Sequence, residues 1–395
     1  MSNSLPAGTV PGVPVALRAL HARLLSWLND TAVPLWTNAG VDPLNGGFEE
    51  SLDLTGKPLR RARRARVQAR QVFSLAVAAG LGWRGDAAPI VRRAIDWLLA
   101  HYRRPDGLFR ALVSPAGEAL DQAAMLYDQA FVLLGLASAA ALLDAPAEFE
   151  AEARALRSAL TRELAVAGSG FLSSAGAPAL RESNPHMHLL EACLAWTAVG
   201  ADPEWREWAD VIIAIALERM RLPGSGAIGE EFDARWHAPT GAAGQRIEPG
   251  HQFEWAWLLL QGGQPPDSAR YRTAMRLLAL GETYGVAAGF AFNTLSEELV
   301  PVDRNARLWP QTERLKANAL AAVLTGERPY WDQAAAAAEA LLTYLATEPP
   351  GLWHDLRLAD GGFADSWVPA SSLYHIACSI DVLDRVIRSA DAQGP

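Results

Sequence analysis

The sequence has few cysteines and no long apolar run. Its two cysteines, Cys193 and Cys378, lie in apolar, helix-like stretches, and because a large core does not need a disulfide, we expect both thiols to be reduced and buried. No stretch approaches the roughly 18 apolar residues of a membrane span. The first sixteen residues, MSNSLPAGTVPGVPVA, carry no charged side chain and so lack the basic region of a secretory signal. The sequence therefore predicts a cytoplasmic protein with no membrane partner.

Several sequence motifs of known chemistry are also missing. There is no GxxxxGK[ST] phosphate loop, no GxGxxG after a predicted strand, no CxxC pair and no GxSxG turn. Phosphate-bearing cofactors and acyl-enzyme chemistry are disfavoured for that reason, and we expect no cofactor. The net charge of −9 argues against nucleic acid as a partner. Most arginines of the basic stretch RRARRARVQAR are interpreted as a solvated helix face, and Arg70 is expected to turn inward.

What the sequence does contain is a repeat of about sixty residues. One series of motifs lies in helix-like segments, with steps of 58 to 63 residues. A second series consists of glycines in Gly-aromatic turns, with steps of 59 to 63 residues. The first series is centred on Arg70, Asp128, His188, His251, Glu313 and His375, and the second comprises Gly47, Gly107, Gly170, Gly229, Gly289 and Gly351.

The helical segments alternate in character along the chain. Segments that carry the motifs have little external charge, whereas those between them, such as EFEAEARALRSALTREL, are amphipathic. A helix that is apolar nearly all round is buried, and an amphipathic helix lies outside. Six buried helices encircled by six amphipathic ones predict an all-α fold, an (α/α)6 barrel. Since repeats share one core, we expect a flexible segment over 1–16 and a single domain over 17–395.

Two motifs place a histidine near the start of a predicted helix. In NPHMHLLEA, Asn184 suits the N-cap, and Glu191 shares a helix face with His188. EPGHQFEWAW repeats this design, with His251 at the helix start and Glu254 one turn later. The order His-x-x-Glu on two helices is the reverse of the Glu-x-x-His order found in di-metal carboxylate proteins. A metal site of that type is therefore an alternative. The HxH spacing of NPHMH cannot chelate one metal from a helix, and we expect no metal.

A third histidine, His375, follows two serines that could cap its helix in PASSLYHIACS. We expect His188, His251 and His375 to keep the same phase and to project from one end of the inner ring. Helix N-termini carry partial positive charge, and several that converge on a cavity would stabilise an enediolate. Arg70 would add a full charge. Histidines titrate near neutrality and therefore suit proton transfer to and from carbon.

The remaining candidates leave alternatives open. Tyr127 and Trp309 offer flat faces for stacking on a sugar, although core packing is the commoner role of an aromatic residue. Glu313, at a helix start, could be a second base, a hydroxyl acceptor or a charge at the helix terminus. Glu254 and Glu313 could also form the opposed carboxyl pair of a glycoside hydrolase, but the three histidines would then have no role. A sugar- or protein-binding module without catalysis is a further alternative.

Five segments together resemble the N-acylglucosamine 2-epimerase superfamily: QARQVFS, NPHMHLLEA, GHQFEWAWLL, WPQTERLKA and PASSLYHI. The resemblance runs from about residue 45 to about residue 379. This superfamily contains N-acylglucosamine epimerases, cellobiose 2-epimerases and aldose–ketose isomerases that act on mannose. The resemblance implies an (α/α)6 barrel and proton chemistry that needs no metal. RLWPQTERLKA and PASSLYHI are most similar to the mannose isomerase branch.

The resemblance also implies roles for the site residues. Arg70 would polarise substrate oxygens near C1 and C2, and His188 would bind a hydroxyl or assist ring opening. His251 and His375 would be the acid–base pair that works through a cis-enediol. The residues that would hold the sugar or orient the histidines are Tyr127, Asn184, Glu254 and Trp309.

The expected function is therefore an isomerase that interconverts D-mannose and D-fructose, with D-lyxose and D-xylulose as a further candidate pair. The alternative is a 2-epimerase that interconverts D-mannose and D-glucose, or N-acylglucosamine and N-acylmannosamine. The expected partner is a small monosaccharide, and the expected assembly is a monomer or a homodimer.

Overall fold

A computed structural model describes residues 12–176, 180–239 and 246–393, and most of them are helical. A π-helical segment, Trp27–Ala32, separates the first two α-helices. The first helix begins inside the 1–16 segment for which we expected flexibility, and residues 1–11 lie outside the described ranges. The α-helices are α1 (Val15–Ser26), α2 (Val33–Asn38), α3 (Ala65–Gly80), α4 (Ala87–Tyr102), α5 (Leu126–Leu142), α6 (Pro146–Glu163), α7 (Ser183–Val199), α8 (Glu204–Glu218), α9 (Pro249–Leu260), α10 (Ala269–Tyr284), α11 (Trp309–Thr325), α12 (Arg328–Tyr344) and α13 (Ser372–Gln393).

Six helices form a closed inner ring, which confirms the predicted (α/α)6 barrel. They are α3, α5, α7, α9, α11 and α13; each packs against the next, and α13 packs against α3. The sequence explains the arrangement, because α5 is buried almost throughout while α6 buries one apolar stripe and exposes most of its charged residues. The helices α4, α6, α8, α10 and α12 lie outside the ring. No helix in the described ranges is long and apolar enough to cross a membrane.

Short antiparallel strands lie between each outer helix and the following inner helix, at the end where the inner helices begin. We call this end the mouth. Ser51 in β1 pairs with Pro369 in β13, and this pairing joins the first repeat to the last. The strands are β1 (Ser51–Leu52), β2 (Arg63–Arg64), β3 (Leu112–Val113), β4 (Ala119–Asp121), β5 (Arg181–Glu182), β6 (Glu231–Phe232), β7 (Val286–Ala287), β8 (Phe290–Ala291), β9 (Thr294–Leu295), β10 (Pro301–Asp303), β11 (Ala306–Arg307), β12 (Leu356–Arg357) and β13 (Val368–Pro369).

Each of five inner helices uses one polar side chain to bind the backbone of the turn before it. Gln68 accepts a hydrogen bond from the N–H of Phe48 at 2.7 Å and donates one to the carbonyl of Phe48 at 2.9 Å. In α7 a histidine replaces the glutamine: His186 Nε2 accepts from the N–H of Phe171 at 3.1 Å. The remaining pairs are Gln129 with Phe109, Gln252 with Ile228, and Gln311 with Ala291. We call these five side chains the clamps. Because each clamp joins an inner helix to the turn before it, the motifs in the helices and the glycines in the turns share one period.

The clamps show why one glycine of the repeat cannot carry a side chain. Gly170 has a φ of +73°, and a Cβ atom there would lie 2.8 Å from His186 Nε2. Only glycine satisfies both the left-handed backbone and the close approach of the imidazole.

The clamps also define equivalent positions in the six inner helices. Leu373 stands at the clamp position of α13, because Ala370, three residues earlier, donates its N–H to the carbonyl of Glu50 in the way that Ser183, three residues before the clamp His186, donates to Glu230. His188 and His375 each lie two residues after a clamp position, whereas His251 lies one residue before one. The expectation of a common phase therefore holds for His188 and His375 and is wrong for His251. We call the residues two positions after the clamps the catalytic tier: Arg70, Phe131, His188, Glu254, Glu313 and His375.

Candidate active site

The catalytic tier forms a circle at the centre of the barrel, and its members approach one another in order from Arg70 to His375. The guanidinium carbon of Arg70 lies 4.0 Å from the ring centroid of Phe131, which is 4.4 Å from the His188 ring centroid. His188 Nδ1 lies 3.8 Å from Glu254 Oε1. One carboxylate oxygen each from Glu254 and Glu313 and one ring nitrogen of His375 lie within 4.8 Å of one another. Five members of the circle are predicted site residues, and Phe131 is the member that the sequence analysis missed.

His375 is held by Glu313, with Nδ1 at 2.8 Å from Glu313 Oε1. The carboxylate accepts a hydrogen bond from Nδ1–H, so Nε2 of the neutral ring carries no proton and keeps its lone pair. Burial, followed by the positive charges of Arg70 and Lys316, holds the pKa of His375 well below its ordinary value. His375 is therefore a neutral imidazole suited to accept a proton.

His251 has the opposite electrostatic environment. Its Nδ1 donates to Glu230 Oε2 at 2.8 Å, and Glu248 Oε2 lies 4.0 Å away. Burial lowers the pKa of His251, but the carboxylates of Glu230 and Glu248 outweigh it and raise the pKa to about 10. His251 is therefore protonated near neutral pH and suited to donate.

The indole of Trp309 contacts both histidines. Its ring centroid lies 5.0 Å from that of His251 and 5.6 Å from that of His375. Trp309 is the first residue of α11. A Cβ atom on Gly250 would lie 2.5 Å from this indole, which explains the glycine directly before His251. The donor and acceptor histidines thus border one shared aromatic wall.

His188 belongs to a third hydrogen-bonded group. Its Nδ1 lies 3.1 Å from Glu191 Oε2, which also accepts a hydrogen bond from the Tyr374 hydroxyl. The predicted contact between His188 and Glu191 is confirmed. Burial lowers the pKa of His188 to about 4, although Glu191 opposes the shift. His188 is therefore neutral at physiological pH.

Arg70 turns inward, as predicted, and is 6% exposed. It donates to the Tyr127 hydroxyl at 2.7 Å. The prediction of a helix face for its neighbours is wrong, because α3 begins only at Ala65, although Arg60 and Arg61 are exposed to solvent. Arg63 is fully buried and binds Asp42 at 2.8 Å and Glu49 at 3.0 Å.

Glu254 does not pair with His251. It is 1% exposed, and neither carboxylate oxygen has a hydrogen-bond partner among the described residues. Burial, followed by the charge of Glu313, raises the pKa of Glu254 well above its ordinary value. The Asn184 Oδ1 atom is also buried without a partner in the described ranges. The predicted N-cap at Asn184 is wrong, because α7 begins at Ser183 and Glu182 occupies the cap position.

Two sets of side chains lie close enough to share an ion: His188, Glu191 and Glu254, and Glu254, Glu313 and His375. Their histidine Nδ1 atoms already donate to Glu191 and Glu313. We interpret both sets as proton-sharing groups, and the expectation of no metal stays a prediction.

Glu230 is a functional residue that the sequence analysis missed. Its carbonyl accepts from the N–H of Ser183, as the carbonyl of Glu50 accepts from Ala370 and that of Asp355 from Leu308. Acidic residues therefore stand at equivalent places in three of the turns before the inner helices. This third series has the same period as the other two and was the available signal.

The comparisons with known proteins cover nearly the whole chain. The family model of N-acylglucosamine 2-epimerase matches residues 46–379. A protein named mannose-6-phosphate isomerase from Rhizobium meliloti (strain 1021) is 39% identical over 95% of this chain and 99% of its own length. A D-mannose isomerase from Thermobifida fusca is 29% identical over 68% of this chain and 71% of its own length.

Solved structures agree with the fold. A crystal structure of D-mannose isomerase has a TM-score of 0.84 at 19% identity and covers 94% of this chain and 98% of its own. Cellobiose 2-epimerase from Spirochaeta thermophila DSM 6192 has a TM-score of 0.82 at 23% identity, over 95% of this chain and 98% of its own. The six-repeat barrel and the match over residues 46–379 lead to one conclusion: the chain belongs to the N-acylglucosamine 2-epimerase family.

Proposed function

We propose that this enzyme, a carbohydrate isomerase by family, interconverts D-mannose and D-fructose through a cis-enediol. D-lyxose and D-xylulose are the matching five-carbon pair. The observation that carries the proposal is the pairing of a neutral histidine, His375, with a protonated one, His251, against the indole of Trp309. Isomerisation needs one group that accepts a proton from carbon and one that protonates oxygen.

In this mechanism His375 removes the proton from C2 of open-chain mannose. The C2 electron pair forms the C1–C2 double bond of the enediol, and the aldehyde oxygen gains a proton from His251. The proton on His375 exchanges with solvent while the enediol is bound, and His375 then delivers a proton to C1, while the hydroxyl on C2 loses its proton to His251 and becomes the ketone. Atoms and charges balance, and both histidines finish in their starting states.

Arg70 stabilises negative charge on the two substrate oxygens as the enediol forms. Its contacts with the Tyr127 hydroxyl and the Phe131 ring orient the guanidinium before substrate binds. Fixed charge in a water-poor site needs little reorganisation during the reaction. His188, held by Glu191, binds a sugar hydroxyl or assists ring opening, and Asn184 and Glu254 offer unpaired polar atoms to the remaining hydroxyls.

A 2-epimerase is the second candidate. Two histidines in opposite protonation states can also serve opposite faces of C2, one removing the proton and the other supplying it. The isomerase is preferred because relatives over most of this chain bear the names mannose-6-phosphate isomerase and D-mannose isomerase. The first of these names makes mannose 6-phosphate a substrate to test beside free mannose.

Incubation with D-mannose in D₂O with excess EDTA, followed by NMR of the products, tests the proposal. Fructose with deuterium at C1 is the expected product, and parallel incubations with mannose 6-phosphate and D-lyxose define the substrate. Glucose with deuterium at C2 and no fructose would establish the epimerase instead. Absence of product from every sugar would overturn both candidates.

The acidic net charge of −9 supports a small sugar, and not nucleic acid, as the partner. A cytoplasmic location, a monomeric or homodimeric state and a single domain over 17–395 stay predictions. Cell fractionation, light scattering and limited proteolysis, in that order, test them.

A further inference from the structure

Lys316 is a buried cation to which the proposed reaction assigns no role. Only two of the 35 Lys and Arg residues of the chain are lysines, Lys57 and Lys316. Lys57 is exposed, whereas Lys316 is 0% exposed. In a chain that otherwise uses arginine, a lysine at a fully buried position indicates a need for a compact ammonium group.

The ammonium of Lys316 lies directly behind the catalytic tier. Lys316 follows Glu313 by three residues on α11, so the two side chains share a helix face. Its Nζ atom lies 2.6 Å from Glu313 Oε2, 3.6 Å from Cys378 Sγ and 3.7 Å from the ring centroid of Trp257. The two oxygens of Glu313 therefore have different partners, because Oε1 binds His375.

We propose that Lys316 is a positioning residue for His375: it fixes Glu313 as an ionised acceptor, which holds the His375 ring with Nδ1–H on the carboxylate and Nε2 free for the substrate. The reaction that this serves rests on the proposed function. The chain of contacts runs from Lys316 Nζ through Glu313 to His375 Nδ1 at 2.6 Å and 2.8 Å. A buried carboxylate without a cation would bind a proton, and a carboxylic acid would no longer fix the tautomer of His375.

A nucleophilic role for Lys316 does not fit its surroundings. Burial lowers the pKa of the amine, but Cys378 and the carboxylates of Glu313, Glu254 and Glu191 outweigh it and raise the pKa above its ordinary value. The amine therefore stays protonated and cannot attack a sugar aldehyde. Arginine would present a larger, planar group to a space bounded by Trp257 and Cys378.

The protonation of His375 depends on charged and titratable groups from every helix around it. Lys316 and Glu313 come from its neighbour α11, and Arg70 comes from α3. Loss of Lys316 would remove this positive charge and let Glu313 take up a proton, so its specific effect is on which ring nitrogen of His375 carries the proton. The groups that face this cluster from the other elements are His188 and Glu191 on α7, Glu254 on α9, and Tyr374 and Cys378 on α13.

Lys316→Met, with Lys57→Met as the matched control, tests the inference in the full-length protein. Each histidine is titrated by ¹H–¹⁵N NMR after ¹⁵N-histidine labelling, and His375→Gln assigns its signal. In Lys316→Met we expect the ¹⁵N shifts of neutral His375 to report a mixture of the Nδ1–H and Nε2–H tautomers, in place of the single Nδ1–H tautomer expected in the wild type. The kcat should fall about 10- to 1000-fold with little change in KM, because the Nε2 lone pair is no longer always available. Lys57→Met should match the wild type in each measurement.

A double-mutant cycle with Glu313→Gln covers the case in which Lys316→Met folds poorly. If Lys316 acts through Glu313, adding Lys316→Met to Glu313→Gln should lower kcat less than about threefold further. Losses of kcat that multiply, or an unchanged Nδ1–H tautomer of His375 in a folded Lys316→Met protein, would overturn the inference. The titration needs no substrate, so a wild-type protein inactive on every sugar would refute the proposed function and leave this inference open to its own test.

Discussion

His251 lies one helical turn nearer the mouth than Glu254, and only Glu254 is level with the other residues of the catalytic tier. The protonated histidine therefore lies above the tier, towards the mouth, while the neutral His375 lies within it. This difference in height places the two groups at different levels along the barrel axis. It also brings Glu230, from the turn before α9, within 2.8 Å of His251.

Removal of either acid–base histidine should abolish most turnover. His375→Ala and His251→Ala should each lower kcat about 10²- to 10⁴-fold, because general acid–base catalysis is typically worth that much. The exposed residue His237 provides the control, and His237→Ala should retain wild-type kcat. Steady-state kinetics with the sugar identified by NMR measure the effect. A variant that keeps more than about half of the wild-type kcat would disprove the role of its histidine.

Glu230→Gln should move the alkaline limb of the pH–rate profile. In the wild type kcat/KM should fall as pH rises through the raised pKa of His251, about 10, because the donor loses its proton. Without the Glu230 carboxylate that limb should move towards the ordinary histidine value of about 6.5. The neighbouring exposed carboxylate supplies the control, Glu231→Gln. An unchanged limb in Glu230→Gln would assign the alkaline limb to another group.

The raised pKa of His251 also predicts that the stability of the protein depends on pH. A pKa raised in the folded state stabilises the protein at pH values below the unfolded pKa of about 6.5, and this contribution is lost as pH rises towards about 10. The difference in unfolding free energy between wild type and Glu230→Gln should therefore shrink between pH 6 and pH 10. Urea unfolding at several pH values measures it, and a constant difference would contradict the assignment.

His186 should be replaceable by glutamine but not by leucine. Gln occupies the clamp position in four other inner helices, so His186→Gln should keep both activity and most stability. His186→Leu leaves the Phe171 N–H and the Glu182 carbonyl without their imidazole partner and should cost about 1–3 kcal/mol. Urea unfolding compares the two variants. Equal stability of both would show that the clamp contributes little.

Loss of the buried charge of Arg63 should destabilise the protein more than loss of an exposed charge. Arg63→Ala leaves Asp42 and Glu49 without their buried partner, and such a loss typically costs about 3–5 kcal/mol. Arg18→Ala breaks an exposed pair with Asp391 and should cost less than about 1 kcal/mol. The two unfolding free energies, measured side by side, decide the point; a small effect at Arg63 would indicate relaxation by water.

The fold could be predicted from the sequence because the burial of each helix and the period of the repeat both depend on residues that are close together in the chain. Charge-poor helices such as α5 alternate with amphipathic ones such as α6, and that alternation is enough to predict a double ring. The contact between His188 and Glu191 was likewise readable, since residues three apart share a helix face.

Contacts between distant residues could not be derived in this way. Tyr374 meets Glu191 across 183 positions, and His251 meets Glu230 across 21 with a strand between them. The predicted level of His251 along the barrel axis is wrong because the motif spacing varies by several residues, and a shift of three or four residues is one helical turn. The clamp hydrogen bonds identify equivalent positions, whereas the residue spacing does not.

The clamps have a consequence for the evolution of this barrel. Each holds the peptide group of a turn residue, and that residue is Phe in three repeats, Ile in one and Ala in another. These side chains are all buried, so each repeat can carry a different core residue at its turn while the backbone stays anchored at one point. One repeat can therefore change its core packing around the turn without displacing the backbone that leads into its inner helix.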